Sequence, residues 1–116
     1  MEERYKKFPR FLKGSENRVP SKQQNTPDVK GYYYTAPDGN QMAFWTCLAD
    51  RVSKEHRHEL DEYMICVSGE YTVAIDGKET VLHPGDEIFI PSGTVQGGSC
   101  KAGTRTIHAF GGRRII

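Results

Sequence analysis

Three side chains that lie close together in the sequence, His56, His58 and Glu62, are of types that bind metal ions. In an extended strand, side chains two positions apart point to the same face, so the two imidazoles are expected roughly 6 to 7 Å apart at Cα. Glu62 is also an even number of positions away, and a turn over Glu59-Leu60-Asp61 would bring its carboxylate back over the pair. Two imidazoles and one carboxylate with open positions suit Fe(II), and also Zn, Ni or Mn. The spacing therefore predicts a divalent-metal site without selecting the metal.

These residues must be positioned by β-structure, because the chain consists of short β-prone segments separated by turns. The segments lie near residues 32–35, 41–48, 54–58, 63–67, 70–75, 79–82, 87–90, 94–99 and 104–110. Asp76-Gly77 lies between two of them and predicts a type I′ hairpin, which needs positive φ at both central residues. We therefore expect an all-β fold: an antiparallel two-sheet barrel over residues 31–116, preceded by an N-terminal extended arm, residues 1–30, with a helical turn or strand near 5–12.

Composition restricts the class of protein. A chain of 116 residues is long enough for one domain, and a net charge of +1 gives no global field that favours nucleic acid or a membrane as partner. Residues 1–30 hold eight Lys/Arg against four Asp/Glu, which is the charge density of a solvated arm rather than a nucleic-acid tail. No segment has the apolar length of a membrane span or the apolar core of a signal peptide, so we expect a cytoplasmic protein.

Cysteine usage leads to the same compartment. Cys47, Cys66 and Cys100 are few and scattered, and their odd number fits a reducing environment, so we expect no disulfide framework. In a regular strand Cys66 would face the same side as Glu62, four positions before it, and its thiol would point into the barrel. A buried, inert thiol is the expected state.

Two longer motifs connect these observations with a known family. They are Asp50-x5-His56-x-His58-x3-Glu62-x6-Gly69 and Gly85-x5-Pro91-x-Gly93-x2-Gln96, and together they resemble the cupin family. The resemblance covers residues 41–110 and implies a double-stranded β-helix, the jelly-roll barrel of small single-domain cupins. It also implies that His56, His58 and Glu62 are metal ligands, with Gln96 at the position where relatives carry a third histidine. The family includes many reactions, so the fold is implied more firmly than the function.

The C-terminal segment His108-Ala109-Phe110-Gly111-Gly112-Arg113-Arg114 carries a second, partial resemblance. It is similar to the Asp-x-Phe-x-Pro-x-Arg ending of small cupins that open unsaturated uronate sugars. This resemblance implies that His108 is a catalytic acid/base, that Phe110 lines the pocket and that Arg114 meets a substrate carboxylate. Imidazole is suited to proton transfer at neutral pH. A structural histidine on a terminal strand, and a solvated Arg113-Arg114 tail, are the alternatives.

Three functions are consistent with this sequence. The first is a metal-dependent enzyme of isomerase or lyase type, acting on a small oxygenated metabolite such as a sugar acid by Lewis-acid and acid/base chemistry. The second is a non-haem iron dioxygenase, and the third is a non-catalytic small-molecule-binding module. We also expect a homodimer in which the arm and residues 32–35 cover an exposed sheet edge of the partner.

Overall fold

The structure is a computed structural model that describes residues 6–116, and it contains ten β-strands and no α-helix within that range. Three 3-10 turns come first: Arg10–Leu12, Ser15–Asn17 and Ser21–Gln23. The strands are β1 (Val29–Thr35), β2 (Gln41–Cys47), β3 (Arg51–Val52), β4 (His56–Arg57), β5 (Glu62–Ser68), β6 (Tyr71–Ile75), β7 (Lys78–Leu82), β8 (Glu87–Ile90), β9 (Val95–Cys100) and β10 (Arg105–Phe110). The expected all-β fold is confirmed.

The strands form two antiparallel sheets. The first sheet has the order β1-β2-β10-β5-β8, and the second has the order β3-β9-β6-β7 with β4 also paired to β9. Strands that are distant in sequence are neighbours in each sheet, as in a jelly-roll barrel. The sheets enclose an apolar cluster formed by Met64, Cys66, Val73, Leu82 and Ile90. This cluster fills part of the space between the sheets, and a polar cavity occupies another part.

Two local predictions have different outcomes. The hairpin turn is confirmed, since Asp76 and Gly77 both have positive φ, 51° and 75°. Of the single strand predicted at residues 54–58 only β4 forms, at His56–Arg57, and the separate strand β3 precedes it at Arg51–Val52. The backbone N–H of Lys54 donates to Asn25 O at 3.1 Å, so that this residue bonds to the arm rather than to a neighbouring strand. The break places His56 on a two-residue strand and His58 just beyond it.

The N-terminal arm packs on its own barrel. Phe8 is buried with its ring centroid 5.5 Å from that of Phe44 on β2, and Val19 is buried with its N–H bonded to Gly31 O at 2.8 Å. The element predicted near residues 5–12 is the 3-10 turn Arg10–Leu12, and residue 5 lies outside the described residues. The arm therefore contributes apolar contacts to one edge of the first sheet.

The expectation for the cysteines is wrong in part. Cys47 at the end of β2 and Cys100 at the end of β9 form a disulfide, with 6.6 Å between their Cα atoms. The two residues are 53 positions apart in sequence, and only closure of one sheet over the other brings them together. Cys66 is free and buried in the core as expected, and burial raises the pKa of its thiol.

In the part of the chain that the structure describes, no helix has the length and apolar character needed to cross a membrane.

We predict that the disulfide makes a large contribution to stability. Closing a loop of this length corresponds to about 4 kcal/mol in the loop-entropy model, so reduction should lower the free energy of unfolding by about 2–4 kcal/mol in urea titrations. The Cys47→Ser/Cys100→Ser variant is the control, because the same reductant should leave its unfolding curve unchanged. Thiol titration of the unreduced, denatured chain should find one free thiol, and three would refute the pairing.

Candidate metal and ligand site

The seven residues singled out in the sequence all line one cavity between the two sheets. They are His56, His58, Glu62, Gln96, His108, Phe110 and Arg114. The cavity has a volume of about 70 Å³, and Trp45, Tyr71 and Thr106 also contribute to its wall. The structure thus brings together side chains that the sequence distributes over 59 positions, from 56 to 114.

Strand register explains how these residues meet. His56 on β4 is directly opposite Gln96 on β9 in the second sheet. Glu62 on β5 is directly opposite Phe110 on β10 in the first sheet. His108 lies two residues before Phe110 and therefore faces the same side of β10. Each sheet contributes one paired set of side chains, and the sets face each other across the cavity.

Glu62 is at the centre of the site, and its side chain is almost completely buried. Its Oε2 accepts a hydrogen bond from His108 Nδ1 at 2.6 Å, and its Oε1 accepts one from Gln96 Nε2 at 3.0 Å. Burial by itself would raise the pKa of this carboxyl. The hydrogen bond and charge of His108, together with His58 and Gln96, outweigh burial and lower the pKa of Glu62 to about 2. Glu62 is therefore a carboxylate at neutral pH.

The two histidines of the first motif are adjacent, as the spacing predicts. Their ring centroids are 4.6 Å apart, and His58 Nε2 is 3.5 Å from Glu62 Oε1. Burial lowers the pKa of His58 to about 4, against the opposing effect of the Glu62 charge. His56 Nδ1 is 2.8 Å from Lys54 O and must carry the proton, since a carbonyl only accepts. In the neutral ring, Nε2 of His56 then has a lone pair.

His108 has a partner at each ring nitrogen. A carboxylate only accepts hydrogen bonds, so the contact with Glu62 requires the proton on Nδ1. In the neutral ring, Nε2 then accepts from the hydroxyl of Thr106 at 3.0 Å. The two contacts fix the tautomer and the ring orientation, as in a carboxylate–histidine pair.

Arg114 reaches the cavity because the C-terminal segment is held in place. The N–H of Ile115 donates to Gln41 Oε1 at 2.8 Å, and Gln41 Nε2 donates to Ile115 O at 3.0 Å. Both residues are buried. The next residue toward the N-terminus, Arg114, is thereby directed inward, whereas Arg113 is exposed.

The guanidinium of Arg114 lies against aromatic rings. It is 5.5 Å from the ring centroid of Trp45 and 5.6 Å from that of Phe110. A Cβ atom at Gly31 on β1 would lie only 2.3 Å from the Trp45 ring. The absence of a side chain at Gly31 therefore leaves room for this ring. Burial lowers the pKa of Arg114. Its Nη1 is buried and, among the described residues, has no hydrogen-bond partner.

The chemistry of the donors can be compared with the needs of a metal ion. No group of three or more His, Cys, Asp or Glu side chains in residues 6–116 is already arranged to hold one. The donors nevertheless fit, because His58 is predominantly neutral and Glu62 ionised at neutral pH, the states that metal binding requires. With His56, they would hold the ion. Gln96 presents its amide nitrogen to Glu62, and its role as a ligand stays a prediction.

Sequence reasoning missed several residues that shape the site. Thr106 lies two residues before His108 on β10, and residues two apart on a strand share a face. Its place in the cavity could therefore have been predicted. Trp45 and Tyr71 lie on strands whose register to the site could not be read from sequence. Gln41 has no local signal at all, because its partner Ile115 is 74 positions away.

Comparison with known proteins tests the resemblance. A family model described as "Cupin domain" matches residues 43–109. The structure of KdgF from Halomonas sp. is similar at 19% identity and a TM-score of 0.66, covering 79% of this chain and 89% of that one. An RmlC-like cupin from Shewanella frigidimarina NCIMB 400 matches at 20% identity and a TM-score of 0.69, covering 88% and 90%.

The polyketide cyclase RemF from Streptomyces resistomycificus matches at 17% identity and a TM-score of 0.63, covering 80% of this chain and 70% of that one. No curated protein matches the chain. At these identities the structural neighbours establish the fold, whereas the match over residues 43–109 establishes the family. The family model covers more than half of the chain, and the chain belongs to the cupin family.

Proposed function

We propose that this cupin is an enzyme that binds one divalent metal ion through His56, His58 and Glu62 and acts on a small anionic, oxygen-rich metabolite. The observation that carries the proposal is Arg114 Nη1, a buried donor without a partner in the cavity that also holds the histidines and the carboxylate. A buried donor that lacks an acceptor costs free energy, so a ligand that supplies one is stabilised. RemF, a polyketide cyclase by its name, supports catalysis on this fold.

Arg114 is the group that would bind the anion. The planar guanidinium presents its donors in a fork that matches a carboxylate. The rings of Trp45 and Phe110 hold that fork and exclude water from one side of it. The cavity between the sheets, of about 70 Å³, is therefore expected to hold a small oxygenated acid.

Glu62 and His108 would supply the proton transfer. The Glu62 carboxylate accepts a hydrogen bond from the Nδ1–H of His108, and its charge therefore stabilises the imidazolium that forms when Nε2 takes a proton. Rotation of the Thr106 hydroxyl would free Nε2 for a substrate C–H or O–H group. His108 then acts as general base first and as general acid when it returns the proton. A bound divalent ion would supply Lewis-acid stabilisation of negative charge on a substrate oxygen.

The first prediction from this proposal concerns the metal. We expect the chain, loaded with Zn or Ni and dialysed, to retain about one ion per chain by elemental analysis, because two neutral imidazoles and a carboxylate suit these ions. The His56→Ala/His58→Ala variant should retain less than about a tenth of that amount and keep the β-sheet circular dichroism spectrum.

His83→Ala is the matched control for this experiment. His83 is an exposed histidine beyond β7 and does not line the cavity, so its loss should leave the metal content unchanged. Unchanged metal content in the double variant would show that the ion is not held by His56 and His58.

The second prediction concerns the ligand. In calorimetry against hydroxy acids, keto acids, uronates and their neutral analogues, we expect preference for the acids. Arg114→Ala should weaken binding of the preferred acid by about 10- to 100-fold, the value of a charge-assisted hydrogen bond. Arg113→Ala removes the same charge from an exposed position and should leave affinity within about twofold. No preference for acids, or equal loss in both variants, would contradict the assignment.

A further inference from the structure

One polar group of the cavity wall has no part in the function proposed above, the hydroxyl of Tyr71. The ring of Tyr71 on β6 packs against the apolar core cluster, and the residue also lines the cavity. Within residues 6–116, this hydroxyl forms no hydrogen bond with another residue. By contrast, Glu62 in the same cavity accepts hydrogen bonds from His108 and Gln96. The Tyr71 hydroxyl is therefore a polar group that remains free to bind a ligand.

Strand register shows where this hydroxyl lies. Tyr71 is directly opposite Cys100 on β9, and both residues face the cavity. Gly98 lies two residues before Cys100, on the same face of β9. A Cβ atom at Gly98 would be 2.5 Å from Tyr71 Oη, so the phenol occupies the space that a side chain at Gly98 would fill. Gln96 follows on that face, opposite His56. The ring thus extends from Cys100 toward the side of the cavity where His56 lies.

The ring of Tyr71 is also a neighbour of His108. Their ring centroids are 6.5 Å apart, with the planes at 84°. His108 is in turn next to Trp45 and Phe110, with centroid distances of 6.5 and 6.1 Å. These are the two rings that contact the guanidinium of Arg114. A ligand whose carboxylate binds Arg114 and which covers His108 can therefore present a further oxygen to Tyr71.

The Tyr71 hydroxyl keeps its proton at neutral pH. Burial raises the pKa of Tyr71 to about 12, and the negative charge of Glu62 acts in the same direction. A protonated phenol can donate one hydrogen bond to an oxygen that has lone pairs. Such a bond becomes stronger when the accepting oxygen gains negative charge.

We propose that the Tyr71 hydroxyl donates a hydrogen bond to a carbonyl or hydroxyl oxygen of the ligand, so that the site selects acids that carry such an oxygen besides the carboxylate. The inference rests on the proposed function, because it requires an anion at Arg114 and proton transfer at His108. Tyr71 then recognises the part of the ligand that Arg114 does not bind.

The same hydrogen bond would assist the proton transfer. When His108 Nε2 takes a proton from a carbon next to a carbonyl, the C–H electron pair forms a C=C bond and the carbonyl π pair moves to the oxygen. The hydrogen bond from Tyr71 stabilises the enolate oxygen that results. When His108 returns the proton to carbon, the electron pairs move back and Tyr71 keeps its own proton throughout.

Calorimetry on the full chain with two probe acids tests the inference. Pyruvate and propionate share the carbon chain and the carboxylate, and only pyruvate carries a carbonyl oxygen. Tyr71→Phe removes only the hydroxyl, so it should weaken pyruvate binding by about 5- to 10-fold, the value of one hydrogen bond, and leave propionate binding within about twofold. Arg114→Ala should weaken binding of both acids, because it removes the group that binds the carboxylate.

Tyr63→Phe is the matched control. Tyr63 lies on β5, its hydroxyl bonds to Glu87, and it does not line the cavity, so this variant should bind both acids as the unchanged chain does. A second measurement does not depend on affinity. Saturating pyruvate should shift the near-ultraviolet absorption of tyrosine in the unchanged chain and in Tyr63→Phe, and the shift should be absent in Tyr71→Phe.

The possible results distinguish this inference from the proposed function. If both acids bind and Tyr71→Phe weakens both equally or neither, the inference alone is overturned. A pyruvate-induced absorption shift that persists in Tyr71→Phe would overturn it as well. If neither probe acid binds, the inference is overturned, and the wider panel of acids described above decides separately on the proposed function.

Discussion

The site depends on one constraint, the burial of the Glu62 carboxylate. An ionised carboxylate inside a protein is costly unless hydrogen bonds and opposite charges replace the water that it loses. Here His108 and Gln96 donate to its two oxygens, and the charges of His108 and His58 favour the ionised form. The strands around the cavity are arranged so that these groups converge on Glu62, and the low pKa of Glu62 is the result.

The two oxygens of this carboxylate face different groups. Oε1 is directed to His58 and Gln96, whereas Oε2 is directed to His108. In the proposed function, one oxygen belongs to the metal-binding side and the other to the proton-transfer side. A change at Glu62 would therefore alter both, whereas a change at Thr106 would alter only the orientation of His108. The separation gives each residue a role that kinetics and metal content can distinguish.

Local sequence patterns predicted most strands and placed His56, His58 and Glu62 together, and the family resemblance added four further residues of the cavity. Contacts between distant segments supplied the rest. Alternation and turn chemistry are local, so most strands and the Asp76-Gly77 hairpin were predictable. The disulfide between Cys47 and Cys100 depends on how one sheet closes over the other, which no local pattern records. The pair of hydrogen bonds between Gln41 and Ile115 is equally non-local, and it separates Arg114, which lines the cavity, from its exposed neighbour.

Strand β10 connects the interior chemistry with the outer surface. Its residues alternate, so that His108 and Phe110 line the cavity whereas Ile107 and Ala109 belong to the outer face of the first sheet. It is also the central strand of that sheet, with two strands on either side. The backbone that positions His108 is therefore restrained by hydrogen bonds to a strand on each side. The pleat of this one strand thus places the residue proposed for proton transfer one position away from the outer face of the sheet.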